Sequence, residues 1–477
     1  MTFLMLTYAV LLPTLAGFLF VTCFLCFEPK HGAMERLFLG FGLGAGILTF
    51  TMFLMGILAI PYSVAAISLV QLAIIALLCF LLHRSGTSVR QVLTFLPFHP
   101  GESSKGWKVH LKRVLIAVLS GLILVKLFIV CYESSMLPLH TWDSWTHWSS
   151  GAKFIFYEKG LALDPAGEHF FGRGYLKVQR YPLNVPLMQV WSSLCMGQAH
   201  EAYLKIWNLL FFTGIAGLVF CAVMREASLL TALLAAFFVM SAPLLTFHVF
   251  TTYADLPLGY YTLGAAICFR RYGQSVRSSE GHGGQGMLAL TGAFVALGVW
   301  TKMEGLFFFA AFSAGLVLLL VLERKPLRHF LVYLMPVAVI AIPWYVFLHV
   351  AGVPISYGEE RAVGEAVAQG LHLEVLPVLG RQILLSVNFN IVFPFFFMLC
   401  LLGAKRILQS DLRYLFVVLF ASMALFLLVY LGTENYQWVM KQTAVNRNIL
   451  TFLPMIYYVA ALAAAELLSG GRRREVI

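Results

Sequence analysis

Apolar runs about as long as a bilayer is thick recur along the whole chain, and they leave few folds open. Thirteen can be read in the 477 residues, near 3–27, 37–59, 63–83, 114–131, 203–223, 228–246, 255–269, 286–300, 305–322, 329–349, 386–403, 414–432 and 449–468. Roughly 20 apolar residues in a helix cross a hydrocarbon core of about 30 Å. Within it every backbone N–H and C=O needs an internal partner, so a span is either a helix or a strand of a closed barrel. No alternation of polar and apolar residues marks barrel strands here. Only 12% of the residues are charged and the mean hydropathy is +0.84, against about 25% charged residues in soluble proteins. The expected fold is an all-α polytopic membrane protein with about 13 transmembrane helices. The run 3–27 has no basic start and no cleavage pattern, so a true span is expected there rather than a signal peptide.

The net charge of +11 does not point to nucleic acid, because the basic residues are dispersed. Most of the 33 lysines and arginines fall in alternate short loops, among them Arg84 to Arg113, Arg270, Arg271 and Arg277, Lys405 to Arg413, and Arg472 to Arg474. Cytoplasmic loops carry such an excess. The N-terminus is therefore expected outside and the C-terminus inside. The loops 132–202, 247–254, 301–304, 350–385 and 433–448 then share the outer face. Seven of the eight cysteines lie in or beside apolar runs, where Cys acts as a small hydrophobe. Cys23 and Cys26 form a lone CxxC with no second pair, which implies neither a metal site nor a disulfide. The run Gly40 to Gly46 lies inside a span and reads as close helix packing, not a phosphate loop. His282 to Gly286 reads as a flexible linker. No Walker sequence or HExxH is present, and no inverted repeat of the kind that builds many transporters.

The outer loops hold the polar residues that need explaining. In 132–202, Trp142, Trp145, Trp148, Ala152 and Phe156 recur at three- and four-residue spacing, which predicts an amphipathic helix lying in the interface. A second such element is expected at Val185 to Trp191. An aromatic belt would account for the tryptophans, but not for Asp143, Lys153, Lys177 and Arg180 among them. Asp255 stands at a helix start, where the dipole favours an acid. Lys302 and Glu304 share a loop of a few residues, where a surface ion pair is worth little. Arg447 precedes the last span, where the dipole disfavours a cation. Taken together, several cations and two or three carboxylates gather at one face. The cations suit a phosphate, and a carboxylate suits a proton.

In this order the motifs resemble the GT-C superfamily of integral-membrane glycosyltransferases, in particular bacterial members related to protein mannosyltransferases and lipid A aminoarabinose transferases. The residues that carry the resemblance are Trp142-Asp-Ser-Trp145 with Ala152-Lys153, Arg180-Tyr-Pro-Leu-Asn-Val-Pro186, Tyr253-Ala-Asp-Leu-Pro257, Thr301-Lys-Met-Glu-Gly305 and Asn446-Arg447. It covers roughly 114–468, a GT-C-like catalytic core with its interfacial helices in 132–202. Residues 1–113 are three N-terminal spans and a basic cytoplasmic loop, and 469–477 a basic tail. The resemblance implies a polyprenyl-phosphate-linked sugar as donor and a site on the extracytoplasmic face, in a bacterial inner membrane. Catalytic roles then fall to Asp143 and Asp255, and phosphate binding to Lys153, Arg180, Lys302 and Arg447. Trp142, Trp145, Tyr181, Tyr253, Glu304 and Tyr436 become substrate contacts. Relatives often have paired acids at the first motif. Here Ser144 follows Asp143, so no residue is assigned to a metal, and no cofactor is required beyond an open question of a divalent cation.

The mechanism expected is transfer of the sugar to an acceptor hydroxyl or amine, with Asp143 as general base. The acceptor, whether lipid, glycan or protein, is not named by the sequence. Tyr357, Glu359, Glu360 and Arg361 in loop 350–385 are candidates to shape its site. A lipid-linked oligosaccharide ligase or polymerase would share the span count and the donor. A lipid or solute transporter would need its polar groups near mid-membrane instead.

Overall fold

Each apolar run coincides with helix in the computed structural model, which describes residues 2–25, 32–88, 92, 107–161, 181–277, 284–353 and 370–468. Four long helices come first: α1 (Thr2–Leu25), α2 (Ala33–Ile57), α3 (Val64–Arg84) and α4 (Trp107–Met136). A π-helical turn, Ser144–Trp148, leads into α5 (Ser149–Glu158), and α6 (Asn184–Met196) and the single turn α7 (Glu201–Leu204) follow. The middle of the chain forms α8 (Ile206–Met224), α9 (Leu229–Met240), α10 (Pro243–Val249), α11 (Asp255–Arg277), α12 (Gly284–Thr301), α13 (Gly305–Leu322) and α14 (Arg328–Val350). The last third holds α15 (Val375–Leu385), α16 (Val392–Gln409), α17 (Leu412–Gly432), the short α18 (Tyr436–Met440) and α19 (Val445–Leu450), and α20 (Leu453–Leu468). There is no strand among the described residues.

Among the described residues ten helices are long and apolar enough to cross a membrane, with α7 and α8 counted as one. The pair α9 and α10 makes an eleventh when counted as one span; it is bent by 65° where Pro243 opens α10, because proline tolerates only the first helical turn. The other two runs fail that test for physical reasons. The helix at the 255–269 run is much longer than the run, because α11 continues through Arg270, Arg271 and Arg277. Its charges are accommodated because other helices surround it: every residue from Asp255 to Gly273 is buried. The last, α20, has only 16 residues.

Small residues set the closest contacts. A side chain at Gly44 would collide with the Pro13 carbonyl of α1, so α1 and α2 pack backbone to backbone, as small residues permit in membrane helices. Gly286 meets the Phe24 carbonyl in the same way. This contact explains why Gly284 to Gly286 open α12 instead of forming the expected linker. A second departure is α6, which has no exposed face of the kind an amphipathic helix presents. Nearly all of it is buried, and it packs against α1, α2 and α5. Trp191 is its anchor, fully enclosed and donating from Nε1 to the Ala9 carbonyl at 2.8 Å. Near the start of α6, Asn184 ties three helices together by contacts with Thr49, Tyr261 and Thr301.

Ion pairs mark the two ends of α11. At its C-terminal end Arg271 bonds the buried Glu35 of α2, with Arg225 at 3.6 Å from the same carboxylate. Arg270 pairs with Glu226 and, at 3.1 Å, with Asp411. Glu323 gathers Arg413 and Arg277. The charges alternate, so each buried ion has a partner, as burial requires. At a rise of 1.5 Å per residue, this network lies about 22 Å from Asp255, at the other end of the bundle.

Candidate active site

The N-terminal end of α11 is where the sequence motifs converge. Asp255 is its first residue and is fully buried. Lys302 lies in the three-residue link between α12 and α13. That link closes because a side chain at Gly305 would strike the backbone of Gly298. The Lys302 Nζ donates to Asp255 Oδ1 at 2.9 Å and pairs with Glu304 Oε1 at 2.7 Å. From α19, Arg447 donates through Nε and Nη2 to Asp255 Oδ2 at 3.2 and 3.0 Å, and through Nη1 to Asp143 Oδ2 at 2.5 Å. Its guanidinium also lies over the Tyr253 ring, 4.3 Å from the centroid, a cation–π contact. One arginine thus joins two carboxylates that the chain separates by more than a hundred residues.

Burial and charge act in opposite directions on the two cations. Burial alone would lower the Lys302 ammonium's pKa, but Asp255 and Glu304 outweigh it and raise it above its ordinary value. Burial opposes the charge on Arg447 as well, and Asp255 and Asp143 raise its pKa in turn. Both therefore stay protonated. Among the described residues neither is fully occupied. A guanidinium has five N–H donors, of which Arg447 commits three here. An ammonium has three, of which Lys302 commits two.

A hydroxyl network fixes Asp143 over this end of α11. Ser144 Oγ bonds Thr141 Oγ1 at 2.7 Å and accepts from the Thr252 amide at 3.0 Å. Ser149 Oγ lies 2.8 Å from Thr252 Oγ1, and the Asp143 amide donates to the Tyr253 hydroxyl at 3.4 Å. Asn208 holds the facing segment from below by donating to the carbonyls of His248 and Tyr253. Ser144 is fully buried in this network. A second acid there would be a buried charge among hydroxyls, with no cation of its own. This accounts for a serine rather than a second acid beside Asp143.

The tryptophan stripe is only half as expected. Trp148 and Ala152 are buried, whereas Trp142 and Trp145 are 70% and 53% exposed. The five positions do not share one face, because the π-helical turn at 144–148 shifts the helical register between the two pairs. Trp145 is held by donation from Nε1 to the Leu139 carbonyl. Tyr181 packs against Trp148, with ring centroids 5.5 Å apart. Lys153 is partly buried on α5 and has no ion pair among the described residues. Tyr436 stacks on His372, with centroids 3.7 Å apart, instead of joining the cluster. Arg180, Lys177 and the segment Tyr357 to Arg361 lie outside the described residues.

Sequence reading passed over His147. Its Nε2 lies 4.0 Å from Asp143 Oδ1, and its Nδ1 is buried without a hydrogen-bond partner. The i, i+4 spacing from Asp143 was the available signal. Four more buried polar atoms without partners among the described residues belong to these same segments: Trp148 Nε1, His248 Nε2, Glu304 Oε2 and Asn446 Oδ1. Among the described residues no group of three His, Cys, Asp or Glu could hold a metal ion. Asp143 and Asp255 do not fit one as a pair, since the Arg447 guanidinium stands between them.

The architecture is similar to a solved structure, ArnT from Cupriavidus metallidurans bound to undecaprenyl phosphate. The TM-score is 0.51 at 15% sequence identity, over 76% of this chain and 60% of that one. The chain has the fold of ArnT. The all-α polytopic fold expected from the sequence is therefore present, on a chain that spans about three-fifths of ArnT's length. No family model and no curated protein matches the sequence.

Proposed function

We propose that this protein is a membrane glycosyltransferase that moves a sugar from a polyprenyl-phosphate donor to an acceptor at the extracytoplasmic face. The observation that carries the reading is Arg447 bridging Asp143 and Asp255 at one end of a fold that, in ArnT, binds undecaprenyl phosphate. In this mechanism the acceptor oxygen or nitrogen attacks the anomeric carbon. The carbon–oxygen bond to the phosphate breaks, and polyprenyl phosphate leaves. The uncommitted N–H groups of Arg447 and Lys302 meet the charge that develops on the phosphate. Such charge-assisted bonds are strongest where water is scarce. Asp143 takes the acceptor's proton on Oδ1, the oxygen that Arg447 does not hold. Asp255 does not touch the reacting atoms; it fixes both cations. Lys153 and Arg180 remain proposed phosphate contacts, and Tyr253, Glu304 and Trp148 line the sugar. Attack opposite the leaving phosphate inverts the anomeric centre. The site faces outward from a bacterial cytoplasmic membrane, with the N-terminus on that same side.

The test is a donor-discharge assay in proteoliposomes, using a polyprenyl phosphate that carries a radiolabelled sugar. The expected result is acceptor-dependent release of free polyprenyl phosphate, with the label in one covalent product. Label that crosses the bilayer on unaltered donor would instead make the protein a transporter.

A further inference from the structure

Asp143 is held by a cation on one oxygen only. Its Oδ2 accepts from Arg447 at 2.5 Å, and protonation of the carboxyl would take from that partly buried guanidinium one of its two counter-ions. A base in this position works only if the proton moves on. Among the described residues His147 Nε2 lies 4.0 Å from the free oxygen, Oδ1. The contact depends on local backbone geometry. The π-helical turn spans Ser144–Trp148, so His147 sits on the widened turn next to Asp143, and such turns recur at functional sites in helices. The ring's other nitrogen, Nδ1, is buried without a hydrogen-bond partner. No structural bond therefore commits this imidazole to one tautomer. Its side chain is 27% exposed, so a proton can leave it for water. A separation of 4.0 Å is outside direct hydrogen bonding, but catalytic hydrogen bonds are often long before substrate binds and then shorten.

We propose that His147 is a proton relay behind Asp143, which accepts on Nε2 the proton that Asp143 Oδ1 takes from the acceptor. The inference rests on the transferase reading above. The new glycosidic bond forms as the carbon–oxygen bond to phosphate breaks. The acceptor's proton passes to Asp143 and then to His147, so the Asp143 carboxylate is restored opposite Arg447. The imidazolium then releases its proton to water. A neutral imidazole nitrogen accepts a proton and an imidazolium nitrogen gives one up, so the ring can carry out both steps.

The experiment compares His147→Gln and His147→Ala with wild type in the discharge assay, on protein that elutes as a single species. Both variants are expected to lose kcat by about 10²-fold, the low end for a proton-transfer group, while KM for the donor stays the same. Added imidazole is expected to restore turnover to His147→Ala in a saturable way and to leave Asp143→Asn unrestored. His147→Gln keeps the volume of the ring, so its loss does not reflect a cavity. A wild-type rate in His147→Gln, or a loss in His147→Ala that imidazole does not relieve, overturns the relay alone. A wild-type protein that discharges no polyprenyl-phosphate sugar overturns the transferase reading together with it.

Discussion

Asp143→Asn is expected to reduce sugar transfer by roughly 10²–10⁴-fold, the usual contribution of a general base, while leaving the protein folded. The substitution keeps the shape of the side chain, and the amide oxygen can still accept from Arg447 Nη1, now 2.5 Å from Asp143 Oδ2. What it removes is the proton-accepting carboxylate oxygen that Arg447 does not hold. Asp143 is only partly buried, so its loss strands no enclosed charge, and Arg447 keeps Asp255. Initial rates at matched protein amounts, together with the thermal midpoint in detergent, check both halves. A near-normal rate would remove Asp143 from the chemistry. A lost rate with a collapsed midpoint would make it a structural residue.

Asp255→Asn should behave in the opposite way. Asp255 is fully buried and accepts from Lys302 and Arg447 together. Neutralising it leaves two cations with Asp143 and Glu304, each at the edge of the cluster. Removing one partner of a buried ion pair costs about 3–5 kcal/mol, a large share of the 5–15 kcal/mol that stabilises a typical domain. The expected result is a sharp loss of monodisperse protein in fluorescence-detected size exclusion. Combining Asp255→Asn with Lys302→Met removes the excess positive charge and should recover part of that loss. If Asp255→Asn alone is as stable as wild type yet inactive, then Asp255 acts in the reaction itself and not through the cations it fixes.

The span pattern was legible because it is local. An apolar run of 20 residues becomes a helix in a bilayer whatever its neighbours are, and all thirteen runs did so. Local reading failed where neighbours decide. Gly284 to Gly286 look like a linker until the Phe24 carbonyl is placed against them. The segment Val185 to Trp191 looks amphipathic and half-exposed until α1, α2 and α5 enclose it. The three arginines of α11 hide its length from a hydropathy scan, although Glu35, Glu226, Asp411 and Glu323 neutralise them.

The site divides along the same line. Asp143, Asp255, Lys302, Glu304 and Arg447 stood out because charge is rare in such a chain, and the structure joins all five. Arg447 was the least comfortable at a helix start, and its two carboxylates resolve that discomfort. Which cation meets which acid was not legible, since those pairs span up to 304 positions. The tryptophan stripe misled because a constant helical period was assumed through 142–156. The π-helical turn breaks that period, and the same turn sets His147 beside Asp143.

A structure of the protein with undecaprenyl phosphate bound is the most direct measurement. The account predicts the phosphate at the Asp255 end of α11, within hydrogen-bond distance of the uncommitted N–H groups of Arg447 and beside Asp143. A phosphate bound at the opposite end, against Arg270 and Arg271, would contradict it.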